Sequence, residues 1–294
     1  MVCVEASEMR VDTSVSSRRI VVGGLGVHTW TAGRGEPVGL VHGFGVSGTY
    51  MLPLAEALAP RFTVLTPELP GFGRSERPRV PLGIGELADA LGDCLDALEL
   101  ERPALVANSL GCQVVTELAV RRPDRVGPLM LIGPTVDPEQ RLARRQLLRG
   151  LSDAAREPLP LVGLTARDTA GMGLRALLAT FRSALADRIE ERLPLIEQPA
   201  LVVRGEKDQF VSARWAERVA ALLPRGELVV VPGEPHAVNF TRPDLVAGLV
   251  QGLLLEEREE ALGELGRGLP HRHVPTRQQD EPRAGQRPLP LLGD

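Results

Sequence analysis

A doubly wound α/β fold with a mostly parallel sheet is predicted by two observations. Short apolar runs alternate with longer stretches whose apolar residues recur at helical spacing. Runs such as 37–41 and 104–107 are apolar without polar alternation, as expected for strands covered on both faces. Strands are expected at 19–22, 26–32, 37–41, 62–66, 104–107, 128–132, 200–204 and 227–231. The first two flank a Gly23-Gly24 turn. Helices are expected at 49–59, 84–100, 110–121, 213–223 and 243–255. In 84–100 the helical period is carried by Leu87, Leu91, Leu95 and Leu98.

Residues 134–198 break this rhythm. They hold several helical stretches, many arginines and no convincing strand. Lying between two sheet strands, they read as an inserted helical cap over the strand C-terminal ends. The core is then 19–133 plus 199–255, preceded by a flexible leader over 1–18. The tail, 256–294, begins charged and becomes rich in Pro and Arg, and from Pro270 it is expected to be disordered.

Bulk composition narrows the function classes. With 294 residues and 43% hydrophobic content, a sizeable core can be buried. A net charge of −4 argues against a nucleic-acid partner held by bulk electrostatics. No apolar run approaches the roughly 18 residues of a spanning helix, and residues 1–19 lack an apolar signal core. A cytoplasmic protein is the expectation. Cys3, Cys94 and Cys112 have neither metal-type spacing nor the look of a disulfide framework. The scarcity of lysine, with Lys207 alone among many arginines, reads as coding bias in a bacterial genome.

The most informative residue is Ser109. It stands in Ala107-Asn108-Ser109-Leu110-Gly111, where an apolar strand meets a small-residue turn and a helix begins. A serine there is lifted out of the sheet with its hydroxyl exposed, which is the mechanical content of a nucleophile elbow. Serine hydroxyls need a base within hydrogen-bond reach, and the base needs an orienting acid. His236 follows the last strand, and Asp208 follows the strand at 200–204. Asp137, just beyond the strand at 128–132, is a second acid candidate. All lie past strand C-terminal ends, where open parallel sheets bind ligands. The glycines of His42-Gly43-Phe44-Gly45 allow close backbone approach, and the amides of Phe44 and Leu110 are the expected oxyanion donors.

These parts together resemble the α/β-hydrolase superfamily over about residues 19–255. The resemblance rests on the His42-Gly43 turn, the Gly71–Ser75 turn, the Ser109 elbow, Asp208 and His236. It implies an α/β-hydrolase sheet, a chain order of Ser, Asp, His and a cofactor-independent serine hydrolase. Gly205-x-x-Asp208 matches the commoner family position for the acid. The implied substrate is a small apolar ester, lactone or related acyl compound. Three positions depart from the family pattern: Ala107 for the first elbow glycine, Cys112 for a small residue, and Glu68 for an Asp before the Gly71–Ser75 turn. Serine at the elbow disfavours epoxide opening and halide displacement. Asn108 resembles hydrolases that cleave carbon–carbon bonds in ring-opened diketo acids.

Other readings compete. Gly43-Phe44-Gly45-Val46-Ser47-Gly48, with Glu68 about 20 residues on, matches the dinucleotide fingerprint of an NAD-binding oxidoreductase. It leaves Ser109, Asp208 and His236 without a purpose. A non-catalytic ligand-binding protein on the same fold is a third reading. Ser109 can also be read as a plain helix N-cap, and Asp208 as a cap for the following helix. Phe44, Phe210 and Phe240 flank the site motifs, either packing behind the loops or lining an acyl pocket. Arg141, Arg144, Arg145 and Arg149 are expected on a solvated face. His42 is expected to brace the oxyanion loop.

Overall fold

The computed structural model describes residues 14–144, 149, 152 and 156–268, with side chains through residue 259. An eight-stranded sheet runs in the order β1-β2-β4-β3-β5-β6-β7-β8. β1 (Ser16–Val22) and β2 (Leu25–Ala32) form an antiparallel hairpin, and β2 pairs antiparallel with β4 (Phe62–Pro67). From β4 outward, β3 (Glu36–Val41), β5 (Ala104–Asn108), β6 (Leu129–Ile132), β7 (Ala200–Gly205) and β8 (Gly226–Val231) are all parallel.

Successive strand residues serve opposite faces. Leu105 and Ala107 pack with α2 (Ile84–Ala97), α3 (Leu110–Arg121) and α7 (Ala213–Leu222). Val106, Met130 and Ile132 pack with α1 (Leu52–Leu58) and α9 (Pro243–Gly268) on the other side. Each fully buried Leu, Val or Ile contributes about 1.5–3 kcal/mol, so a run apolar at every position is stable only between two helical layers. The expected helix at 49–59 begins instead as a 3-10 turn, Gly48–Met51, and becomes α1 at Leu52-Pro53, where proline fits the first turn.

Between β6 and β7 the described residues include no strand. They include α4 (Leu159–Met172), α5 (Leu174–Ala186) and the short α6 (Ile189–Arg192). One ion pair ties this segment to α3: Arg192 meets Glu117 at 3.1 Å, while Arg192 also pairs with Asp187 at 2.6 Å and Glu117 with Arg121.

Two boundaries move. β1 begins at Ser16, inside the expected leader, because Ser16–Arg18 pair with Thr31–Thr29; residues 1–13 lie outside the described residues. α9 runs to Gly268, past the expected end at 255, since its Glu- and Leu-rich continuation has high helix propensity. The tail from Pro270 lies outside the described residues. The chain divides into two compact units at Arg258 and Glu259. Among the described residues no helix is long and apolar enough to cross a membrane.

Candidate active site

The sheet order places β3 between β4 and β5, so the chain reverses direction of travel across the sheet there. A crevice opens at such a switch point, outside the strand C-terminal ends. The loops after β3 and β5 therefore meet. A β-carbon on Gly43 would stand 3.1 Å from the Ser109 Cβ.

Ser109 holds φ 55° and ψ −117° at the junction of β5 and α3. Positive φ in a non-glycine residue costs about 1–3 kcal/mol and persists only when its surroundings fix it. Here the Ser109 amide donates to the Ile132 carbonyl at 2.9 Å, and the Cys112 amide donates to the Ser109 carbonyl at 3.0 Å. The side chain makes no cap hydrogen bond to α3, so the N-cap reading of Ser109 fails. Gly111 lets α3 approach β3. A β-carbon there would lie 2.6 Å from the Val41 carbonyl oxygen.

Asp208 and His236 meet directly: His236 Nδ1 lies 2.8 Å from Asp208 Oδ2. The other carboxylate oxygen, Oδ1, accepts the amides of Phe210 at 2.7 Å and Val211 at 2.9 Å. With the Asp208 side chain fully buried, these bonds replace its lost hydration. An ionised carboxylate accepts only, so Nδ1 carries the shared proton and Nε2 is left as the basic nitrogen. Gly133, at φ +56°, backs this pair. A β-carbon there would stand 2.7 Å from His236 Cε1. Ser109 and His236 thus flank the same dipeptide, Ile132-Gly133, one through its amide and the other through its ring.

Asp137 is occupied elsewhere. It caps the turn Pro138–Gln140, accepting from the Glu139 amide at 3.0 Å and Gln140 Nε2 at 3.1 Å, with Ser212 Oγ at 3.4 Å.

The β3 loop is braced by His42, which is fully buried. Its Nδ1 lies 2.9 Å from the Gly43 carbonyl, and Nε2 accepts the Leu69 amide at 3.1 Å. A carbonyl takes a proton and an amide gives one, so the ring is neutral with its proton on Nδ1. Burial holds its pKa below the usual histidine value. The unfolded chain therefore takes up a proton near pH 6.5 that the folded protein refuses, and stability falls as pH drops below 6.5. The difference in Tm between wild type and His42→Gln is expected to shrink from pH 7.5 to pH 5, read by scanning fluorimetry at both values.

Leu110 opens α3, so its amide has no partner within the helix. Phe44 follows Gly43, the glycine of the β3 loop that faces Ser109. The cap reaches this loop: Thr169 Oγ1 donates to the Gly45 carbonyl at 3.0 Å, and Phe181 meets Phe44 with ring centroids 5.8 Å apart.

A sequence profile of the alpha/beta hydrolase family matches residues 40–249. The chain belongs to that family. A relative from Agrobacterium fabrum, provisionally named carbamate hydrolase RutD, is 31% identical over 74% of this chain and 93% of its own. The 2-(acetamidomethylene)succinate hydrolase of Mesorhizobium japonicum is 27% identical, covering 78% of this chain and 91% of its own. Among solved structures, a bacterial membrane phospholipase A superposes with a TM-score of 0.73 at 26% identity, over 83% of this chain and 87% of that one. The protein is an α/β-hydrolase enzyme.

The hydrolase accommodates its three departures. Ala107 and Cys112 are fully buried, with Cys112 Sγ 3.4 Å from the Ala107 carbonyl oxygen, and burial raises the thiol pKa. Glu68 is buried too, accepting from Trp30 Nε1 at 2.9 Å and from the Arg74 amide. That commitment removes the acid which the dinucleotide fingerprint asks to bind ribose.

Phe210 and Phe44 lie at the site, the former 4.8 Å from the His236 ring, whereas Phe240 stacks behind it on Tyr50. The solvated arginine face holds only at Arg144. Arg141 pairs with Glu190 at 2.7 Å, and Arg149 donates to the Phe210 carbonyl at 3.0 Å, because cap and core supply these acceptors. Arg145 lies outside the described residues.

Arg204 and Glu157 are among the residues that escaped the sequence analysis. Arg204 is 8% exposed, and its guanidinium donates to the carbonyls of Val211 at 2.7 Å, Glu206 at 3.2 Å and Asp208 at 3.2 Å. It closes the loop that carries Asp208. Its only signal was an arginine inside an apolar strand. Glu157 of the cap accepts the Ala237 amide at 3.0 Å, next to His236, and nothing in the sequence pointed to it.

Proposed function

We propose that this hydrolase cleaves a small, largely apolar ester, lactone or related acyl compound through Ser109, His236 and Asp208. The observation that carries the reading is the 2.8 Å Asp208–His236 hydrogen bond at the sheet edge where Ser109 holds its strained turn.

His236 Nε2 takes the proton of Ser109 Oγ as that oxygen attacks the carbonyl carbon. The amides of Phe44 and Leu110 hold the oxyanion, each such donor being worth about 10²–10³ in rate. The tetrahedral intermediate collapses, His236 returns the proton to the leaving oxygen, and the serine is left acylated. Water then loses its proton to His236, attacks the acyl carbon and regenerates Ser109. Asp208 keeps the ring oriented and stabilises its charged form.

Phe44, Phe181 and Phe210 around the loops support an apolar acyl group. The relatives' names, a carbamate hydrolase and a phospholipase A, fit attack at an acyl carbon. The carbon–carbon alternative leaned on Asn108. That amide is buried, bonded to the Ile132 carbonyl and within reach of Tyr50, so it is committed inside the protein.

An acyl-enzyme predicts biphasic product release. Rapid mixing with excess 4-nitrophenyl butyrate is expected to release nitrophenolate in a burst stoichiometric with enzyme, followed by a slower steady state. Turnover that leaves no acylated protein in acid-quenched samples analysed by mass would count against the covalent route.

A further inference from the structure

The reaction proposed above needs three loops in register: the β3 loop with the Phe44 amide, the elbow with Ser109, and the segment with His236. One tyrosine links them: Tyr50 follows the first, and its hydroxyl reaches residues next to the other two. Tyr50 lies in the 3-10 turn that follows the β3 loop and is 3% exposed. Its Oη stands 3.1 Å from Oδ1 of Asn108 and 3.1 Å from Oδ1 of Asn239. Asn108 immediately precedes Ser109. Asn239 is fully buried in α8 (Val238–Thr241), three residues beyond His236.

Proton accounting orders the contacts. Asn108 Nδ2 donates at 3.2 Å to the Ile132 carbonyl, the same oxygen that accepts the Ser109 amide. Its Oδ1 therefore faces Tyr50, and the phenol donates to it. A phenol has one proton and cannot also serve a second carbonyl oxygen. Asn239 Nδ2 stands 3.3 Å from Met51 Sδ, a weak acceptor; turning the amide by 180°, which exchanges two nearly identical atoms, gives up that weak contact and presents Nδ2 to the hydroxyl. The chain then runs Asn239 Nδ2–H to Tyr50 Oη, Tyr50 Oη–H to Asn108 Oδ1, and Asn108 Nδ2–H to Ile132. Packing does not call for this hydroxyl. Phenylalanine fills the same space without the desolvation cost of a buried polar group.

We propose that Tyr50 is a positioning residue, whose hydroxyl fixes Ser109, His236 and the oxyanion loop relative to one another through Asn108 and Asn239. It touches no substrate. The proposal rests on the serine-hydrolase reading.

The test uses Tyr50→Phe, Asn239→Leu and the double variant, assayed with 4-nitrophenyl butyrate and with a fluorophosphonate. Each single change is expected to lower kcat about tenfold or more with KM nearly unchanged, because slight misplacement of reacting groups is costly. Inactivation by the fluorophosphonate should slow in proportion. The double variant should be no slower than the slower single one, since either change breaks the same chain. A Tyr50→Phe enzyme with wild-type kcat and labelling rate but a lower Tm would overturn the proposal and leave the hydroxyl a stabilising role only. So would losses that multiply in the double variant. Wild type that resists labelling would sink the serine reading and this proposal with it. Labelled wild type with equally labelled Tyr50→Phe would sink this proposal alone.

Discussion

Ser109→Ala is expected to lower kcat for 4-nitrophenyl butyrate by about 10⁵-fold, with little loss of stability. The activity effect is large because, among the described residues, no other side chain at the elbow supplies a nucleophile. Cys112 lies under the elbow, fully buried, with its thiol pushed up by burial. The stability effect is small or reversed. Ser109 holds φ 55° whatever its side chain, and it makes no side-chain cap that alanine would lose. Steady-state assays alongside thermal melts check both halves. Residual activity within about 100-fold of wild type, far above what remains when a catalytic nucleophile is removed, would mean that another group or a bound water attacks.

Asp208→Asn is expected to lower kcat by about 10⁴-fold, while Asp137→Asn leaves it within about threefold. The contrast follows from their hydrogen bonds. Asparagine at 208 presents either an oxygen or an NH₂ to His236. The NH₂ forces the proton onto Nε2 and removes the base. The oxygen keeps the tautomer but leaves the NH₂ facing the amides of Phe210 and Val211. It also loses the negative charge that balances the imidazolium. Asp137 has its oxygens on Glu139 and Gln140, and its loss frays one turn. Parallel kcat measurements on the two variants decide the assignment. A collapse in Asp137→Asn with an active Asp208→Asn would reverse it.

The sheet was legible because its central strands are largely apolar, and only a doubly covered sheet buries such runs. Its margins were less so. Ser16–Arg18 are polar and exposed, and join the sheet through backbone pairing and a Ser16–Thr31 hydroxyl hydrogen bond. The extension of α9 lies in a charged stretch of high helix propensity. Ser109, Asp208 and His236 could be found because each lies within five residues of a strand's C-terminal end, and chain order in a parallel sheet brings strand ends together. Arg204, Glu157, Tyr50 and Asn239 could not. Their roles depend on which carbonyl or amide from a distant segment arrives beside them, and local sequence carries no record of that.

The central claim is an activated serine at position 109. Intact-mass analysis after exposure to a fluorophosphonate, with peptide mapping, tests it most directly. The account predicts one adduct on wild type, mapped to Ser109, absent from Ser109→Ala and greatly slowed in His236→Ala. A folded wild type with no adduct, or an adduct on another residue, would contradict it.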